Sequence, residues 1–338
     1  MTTSVEVPES MRCSVLRTAG ELEVQERPVP RPGHREVLVR IAAVGTCGSD
    51  VHYFRHGRIG GFVVRDPLVL GHEPAGRIVA VGTGVDAARI GQRVSLEPGV
   101  PCRRCRYCHT GAYNLCPDMA FFATPPVDGA FAEYVAIADD FAHPVPDHVS
   151  DDAAALLEPL SVALWAHRRA GTGPGSRVLV AGAGPIGLLV ARAAAVQGAT
   201  EVLVSDPDAG RRALAGSFAA TAVLDPAADD AAGAGVDVFV DCSGVAPAVL
   251  GGLAAVRPGG TAVLVGMGAD EMTLPVSALQ SREITLTGTF RYANTWPAAV
   301  ALAPSVDLDR LVTGHVDLDH VGDALDPDPA QVKVMVRP

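Results

Sequence analysis

Between residues 36 and 99 the apolar positions fall in short runs. EVLVRIAAVG, PLVLGHEPAGRIVAVG and GQRVSLEPG are rich in Val, Ile and Leu and set apart by Gly and Pro, as strands and turns are. From about residue 160 the texture changes. RVLVAGAG, EVLVSD, VDVFVDCSG, TAVLVGMG and ITLTGTF are nearly unbroken apolar runs, which is how strands covered on both faces of a parallel sheet read. PIGLLVARAAAVQGA and RRALAGSFAA lie between them, long enough for crossover helices. Strand-like pieces return in LVTGHVDL and QVKVMVRP, on either side of the acidic, proline-punctuated DALDPDPA. The pattern predicts an α/β protein in three stretches. A β-rich domain covers 1–157, a doubly wound parallel-sheet domain covers 158–291, and a tail over 292–338 returns to the first.

Composition narrows the setting. The 338 residues, 48% of them hydrophobic, are enough for a large core and two domains. MTTSVEVPESMRCSV has no basic segment followed by an apolar run, so no signal peptide is expected. No uncharged apolar stretch reaches the roughly 20 residues of a membrane helix. These readings point to the cytoplasm, where thiols stay reduced and clustered cysteines more often hold metal than form disulfides. A net charge of −11 argues against a nucleic-acid partner, which needs a cationic face. The basic side chains are almost all arginine, and Ala and Gly abound, as in proteins of GC-rich bacterial genomes.

One glycine pattern has the context that gives it meaning. Gly182-Ala-Gly184-Pro185-Ile186-Gly187 follows the strand RVLV and opens a helix. The first glycine makes the tight turn and the second lets a pyrophosphate approach the backbone. The third lets helix and strand pack closely, with the helix N-terminus toward the phosphates. Asp206 ends the next strand, EVLVSD, where a carboxylate can accept both hydroxyls of an adenosine ribose and repels a 2′-phosphate. NAD is therefore expected over NADP, although the nearby Arg211 could accommodate such a phosphate. Val265 and Gly266, then Thr289, Phe290 and Arg291, follow later strands of the same sheet and are further cofactor candidates.

Two groups of residues could hold metal. Cys102, Cys105, Cys108 and Cys116, spaced C-x2-C-x2-C-x7-C, can wrap one Zn²⁺ tetrahedrally and leave no position for substrate, so this site is structural. An iron–sulfur cluster uses the same ligand type and stays open as an alternative. Arg103, Arg104 and Arg106 beside these cysteines read as a solvated face in so acidic a chain, rather than as a nucleic-acid ribbon. The second group is spread out: Cys47 in GTCGSDVH, His72 and Glu73 in LGHEPAG, and Glu158 in LLEPLSVALWAH. A thiolate, an imidazole and a carboxylate are a suitable incomplete set for catalytic zinc. Residue types alone do not establish it, since single Cys and His residues are more often core or surface positions.

GTCGSDVH, LGHEPAG, the four-cysteine lobe and the GxGxxG stretch together resemble the zinc-dependent medium-chain alcohol dehydrogenases, over essentially the whole chain. CGSDVHYFRHGRIGGFVV, FFATPPVDGAFAEYV, EPLSVALWAHRRA and GTFRYANTWPAA resemble the sorbitol (L-iditol) and xylitol dehydrogenase branch. The resemblance implies a GroES-like catalytic domain with its structural-zinc lobe at about 98–118, followed by a Rossmann domain. It implies two zinc ions per chain, with Cys47, His72 and Glu73 on the catalytic one and Glu158 on that metal's water, able to move into coordination. It casts Ser49 and His52 as a proton relay, and Tyr53, Phe122, Thr124, Glu158, Arg291 and Tyr292 as the wall that receives a polyol. The implied activity is oxidation of a polyol's secondary hydroxyl to a ketose with NAD, in a homodimer or homotetramer. The implied partner is a small polyol, with no nucleic acid and no membrane. Rival readings are a butanediol, threonine or aminocyclitol dehydrogenase, or a catalytically silent NAD(P)-binding relative. DALDPDPAQ departs from the branch in lacking a longer basic helix near the end. Cys13 and Cys242 read as buried thiols.

Overall fold

The computed structural model describes residues 7–326, 328 and 330–338. The first residues of the segment read for a signal peptide, and two prolines of DALDPDPA, lie outside the described residues. The chain divides into two units, one made of Met1–Glu158 with Asp307–Pro338 and the other of Pro159–Val306. The helix Trp296–Val306 lies in the second unit, whereas the expected tail began at 292. The physical reason is packing. Trp296 and Val306 are buried, and Arg192 of the helix Pro185–Val196 donates to the Ser305 carbonyl at 2.7 Å.

The first unit is built on a seven-stranded sheet. Its order is Ala142–Pro144, Arg93–Leu96, Glu73–Val81, Glu36–Gly45, Lys333–Val336 and Val312–Val316, with Tyr134–Ala138 also paired to Glu36–Gly45. The strand Glu36–Gly45 is buried along both faces except at exposed Arg40 and half-buried Glu36 and Ala42, which is why it reads as a continuous apolar run rather than an alternating one. A separate three-stranded sheet, Glu21–Pro28, Ser10–Thr18 and Leu68–Val69, packs Val15, Leu16 and Val69 with Phe131, Leu70 and Val39 in the unit's core. Burial of such side chains is the main favourable term in holding the sheets together.

The second unit is a six-stranded sheet, parallel throughout. Its order is Ala222–Leu224, Glu201–Ser205, Arg177–Ala181, Val236–Asp241, Val256–Leu264 and Thr285–Gly288. Counted from the first strand of the unit this is 3-2-1-4-5-6, the doubly wound dinucleotide-binding order. Ligands of such sheets meet the carboxyl ends of the strands at the point where the order reverses. Here that point lies beyond Ala181, which pairs with Ser205 on one side and Asp241 on the other. Among the described residues, no helix is long and apolar enough to cross a membrane.

Candidate functional site

Three candidate ligands converge in the first unit. Cys47 stands just before the helix Gly48–His56, and His72 just before the strand Glu73–Val81, which Glu73 begins. Their ligand atoms all lie within 4.8 Å of one another. A side chain absent from the sequence reading joins the two segments. Asp50, fully buried, accepts from the Cys47 amide at 3.0 Å and from the Gly71 amide at 3.0 Å. The same carboxylate lies 3.6 Å from His72 Nδ1, where it can orient the ring, as carboxylates behind metal-binding histidines do. Burial pushes the His72 pKa down, but Asp50 and Cys47 more than reverse this and hold it well above the ordinary histidine value. Gly45 makes room for the third ligand, since a Cβ there would sit 2.0 Å from Glu73 Oε2.

The donor set fits zinc in an open site, with three protein ligands of mixed type and a fourth position for substrate. Glu158 is also buried, in the first turn of the helix Leu157–Ala170, but it is not among the grouped ligand atoms. A second unforeseen residue, Lys333, is buried and donates to both oxygens of Glu73 and to the Thr46 carbonyl. Ser49 is half-buried and His52 exposed on the helix Gly48–His56, with the His52 ring 5.8 Å from that of His56. Tyr53 on the same helix is buried, while Phe122 and Thr124 are half-buried in the turn that follows Phe121. The Phe121 ring itself lies 5.8 Å from the ring of His72.

The four lobe cysteines form a second group within the same 4.8 Å limit. Cys105 and Cys108 sulfurs are 3.4 Å apart, and the Cys102 amide donates to Cys116 Sγ at 3.3 Å. All seven cysteines are free of disulfides. The Arg104 amide lowers the Cys102 thiol to about 7, whereas burial raises that of Cys108 to about 12. The lobe is fastened by protein contacts as well. Tyr113 donates to the buried Glu97 at 2.6 Å, His143 Nε2 meets the other Glu97 oxygen at 2.8 Å, and Arg103 grips Asp140 at 2.7 and 2.6 Å. Arg104 lies 3.9 Å from Asp118, so two of the lobe's three arginines face carboxylates.

In the second unit the glycine loop has the geometry its sequence requires. Gly182 adopts φ +95° and Pro185 opens the helix behind Gly184. A Cβ on Gly187 would fall 1.8 Å from the Gly182 carbonyl oxygen. Asp206 is buried, accepting from the Ala183 amide of the loop at 2.7 Å and from the Asp208 amide at 2.8 Å. Arg211 NH1 is 3.6 Å from where a Gly184 Cβ would stand. Val265 and Gly266 both donate to the Asp241 carbonyl, and Thr289 to that of Leu264. Phe290 is exposed beneath the Arg291 guanidinium, 4.9 Å from the ring centroid, and Arg291 adopts φ +52°. Tyr292 is buried, its ring 5.6 Å from that of Trp296. Cys13 is fully buried. Cys242 is half-buried, and burial raises its thiol pKa.

Comparison with known proteins gives this geometry a family. Residues 33–147 match the alcohol dehydrogenase GroES-like domain, and residues 185–305 match the zinc-binding dehydrogenase domain. The chain is 42% identical over 331 residues to a sorbitol dehydrogenase of Bacillus subtilis (strain 168), covering 95% of this chain and 94% of that protein. It is 41% identical over 337 residues to a sorbitol dehydrogenase of Gallus gallus, covering 96% and 95%. Its fold superposes on L-idonate 5-dehydrogenase from Escherichia coli with a TM-score of 0.92 at 30% identity, covering 97% of this chain and 98% of the other. Likeness of this extent, through both units and both metal-binding groups, places the chain in the zinc-dependent medium-chain alcohol dehydrogenase family, in its sorbitol and xylitol dehydrogenase branch.

Proposed function

We propose that this protein oxidises a secondary hydroxyl of a polyol of the sorbitol, xylitol or L-iditol type to a ketose, with NAD as hydride acceptor. The observation that carries the reading is the incomplete ligand set of half-buried Cys47 with buried His72 and Glu73 in a chain so like enzymes named for sorbitol and xylulose. Its cofactors are zinc and NAD(H). Cys47, His72 and Glu73 would hold the catalytic zinc, and Cys102, Cys105, Cys108 and Cys116 the structural one. When bound, the catalytic zinc supplies a Lewis acid and the nicotinamide a hydride acceptor. The remaining work falls to the chain's own groups. Ser49 accepts the proton of the reacting hydroxyl as it releases its own, and His52, exposed to solvent, passes the released proton outward. Glu158, Thr124 and Tyr53 offer acceptors and donors to a substrate whose several hydroxyls would otherwise be buried without partners. Assembly as a cytoplasmic homodimer or homotetramer belongs to the same reading, closed symmetry being the common outcome for such chains.

Two experiments test it. Arg291 has fixed donors that a polyol's distal hydroxyls can use and a simple alcohol cannot. Arg291→Ala should lower kcat/KM for sorbitol or xylitol by on the order of 10- to 100-fold, as one or two hydrogen bonds to a charged group are lost. A short secondary alcohol should be nearly unaffected, and NAD affinity should hold. Equal losses on both substrates, or a collapse of NAD binding alone because Arg291 serves the cofactor, would remove the support for a polyol, and a panel with butanediol, threonine and aminocyclitols would then name the alternative. The second experiment concerns Asp206, proposed to bind the adenosine ribose. Asp206→Ser should weaken NAD use and raise the ratio of NADP to NAD efficiency. If the unmodified enzyme already prefers NADP, Arg211 governs the pocket instead.

A further inference from the structure

Lys333 is 3% exposed, and its ammonium spends its three donors inside the protein. They go to the two Glu73 oxygens at 2.8 and 2.7 Å and to the Thr46 carbonyl at 2.7 Å. Thr46 precedes Cys47 and Glu73 follows His72, so one side chain grips both segments that carry the ligands. An ion pair this deep contributes little net stability compared with an apolar pair of the same shape. Its position on the third ligand is what calls for an explanation.

We propose that Lys333 is a positioning residue of the metal centre, fixing the direction of the Glu73 carboxylate. The inference rests on the reading of Cys47, His72 and Glu73 as zinc ligands. Lys333 leaves Glu73 little rotational freedom, since both oxygens are committed to one ammonium. Partners behind a metal ligand act in this way, setting the orientation of the ligand and the affinity of the site.

The test uses the protein with Co²⁺ exchanged for zinc. The absorption that Cys47→Ser removes reports the open site, and the absorption that remains reports the four-cysteine site. Lys333→Met should shift the Cys47-dependent bands and speed chelator stripping of that site by about 10-fold or more, leaving the four-cysteine site unchanged. Lys333→Arg, which keeps the charge, should recover most of the retention. If Lys333→Met fails to fold, Glu73→Gln is compared with Glu73→Gln/Lys333→Met, in which both charges are gone. A lysine acting through Glu73 makes the two indistinguishable in bands and stripping rate, whereas an additional loss in the double variant overturns the proposal. If Lys333→Met folds with unchanged bands and stripping, the positioning role falls and the metal reading stands. Absence of any Cys47-dependent band in the unmodified protein brings down both.

Discussion

Cys47→Ser should remove nearly all turnover while leaving the fold in place. On the proposed reading the thiolate is one of the three ligands grouped at the open site among the described residues, and a serine hydroxyl is a poor substitute for it at neutral pH. The Lewis acid it helps to hold is worth several kcal/mol of transition-state stabilisation, so kcat/KM should fall by about 10³-fold or more. Stability should change little, because Cys47 is only half-buried and lies outside the apolar core cluster of its unit. The measurements are kcat/KM on sorbitol and xylitol, zinc content and the thermal midpoint. The variant should bind one zinc fewer than the unmodified protein and melt within a few degrees of it. A variant that turns over normally would show that the open site is not where the chemistry occurs.

Cys105→Ser acts on the other quantity. A closed four-thiolate site contributes its metal-binding free energy directly to folding, and this lobe has few apolar side chains of its own to replace that contribution. Cys102, Cys105, Cys108 and Cys116 lie between the short strand Gly99–Val100 and the turn before Ala120–Phe121, and of the four only Cys116 is buried. A loss of about 3 kcal/mol should lower the thermal midpoint by on the order of 10 °C. Zinc should fall from two per chain to one, with kcat/KM of the folded fraction reduced only a few-fold. The contacts of Glu97 with Tyr113 and His143, and of Arg103 with Asp140, should keep the lobe attached to its unit. Retention of both zinc ions, or visible absorption and iron in place of zinc, would contradict the structural-zinc reading.

The parallel sheet was legible because its strands are buried on both faces and so read as unbroken apolar runs, and the glycine loop because its three glycines meet three separate steric demands. The N-terminal hairpin, Ser10–Thr18 with Glu21–Pro28, was not. Its outer strand carries Glu21, Glu23, Glu26 and Arg27 and alternates between exposed and half-buried positions, so it has too little apolar character to stand out. The candidate metal set was legible only as residue types. Nothing in local spacing brings residue 47 to residues 72 and 73; family resemblance suggested it, and sheet pairing of Gly45 with Glu73 brings it about. Asp50 was missed because an acid in the first turn of a helix reads as an ordinary capping residue. Lys333 was missed for a better reason. In QVKVMVRP it sits where an alternating edge strand would place a solvated lysine, and only the insertion of Lys333–Val336 between Glu36–Gly45 and Val312–Val316 puts it inside.

That insertion also sets the order of events while the protein is being made. Glu73 and Lys333 are 260 residues apart, and the whole of the second unit is synthesised between them. The second unit is one continuous piece of chain, so it can fold as it leaves the ribosome, as contiguous domains do. The first unit cannot. Its central strand waits for a neighbour that emerges more than 280 residues later, Thr46 pairing with Val334 across a separation of 288. Until then a buried-to-be carboxylate and the edge of Glu36–Gly45 stay open to solvent and to other nascent chains. Exposed strand edges of this kind are the surfaces that chaperones protect. A ribosome that stalls before Lys333 therefore leaves a finished nucleotide-binding unit attached to a catalytic unit that cannot close.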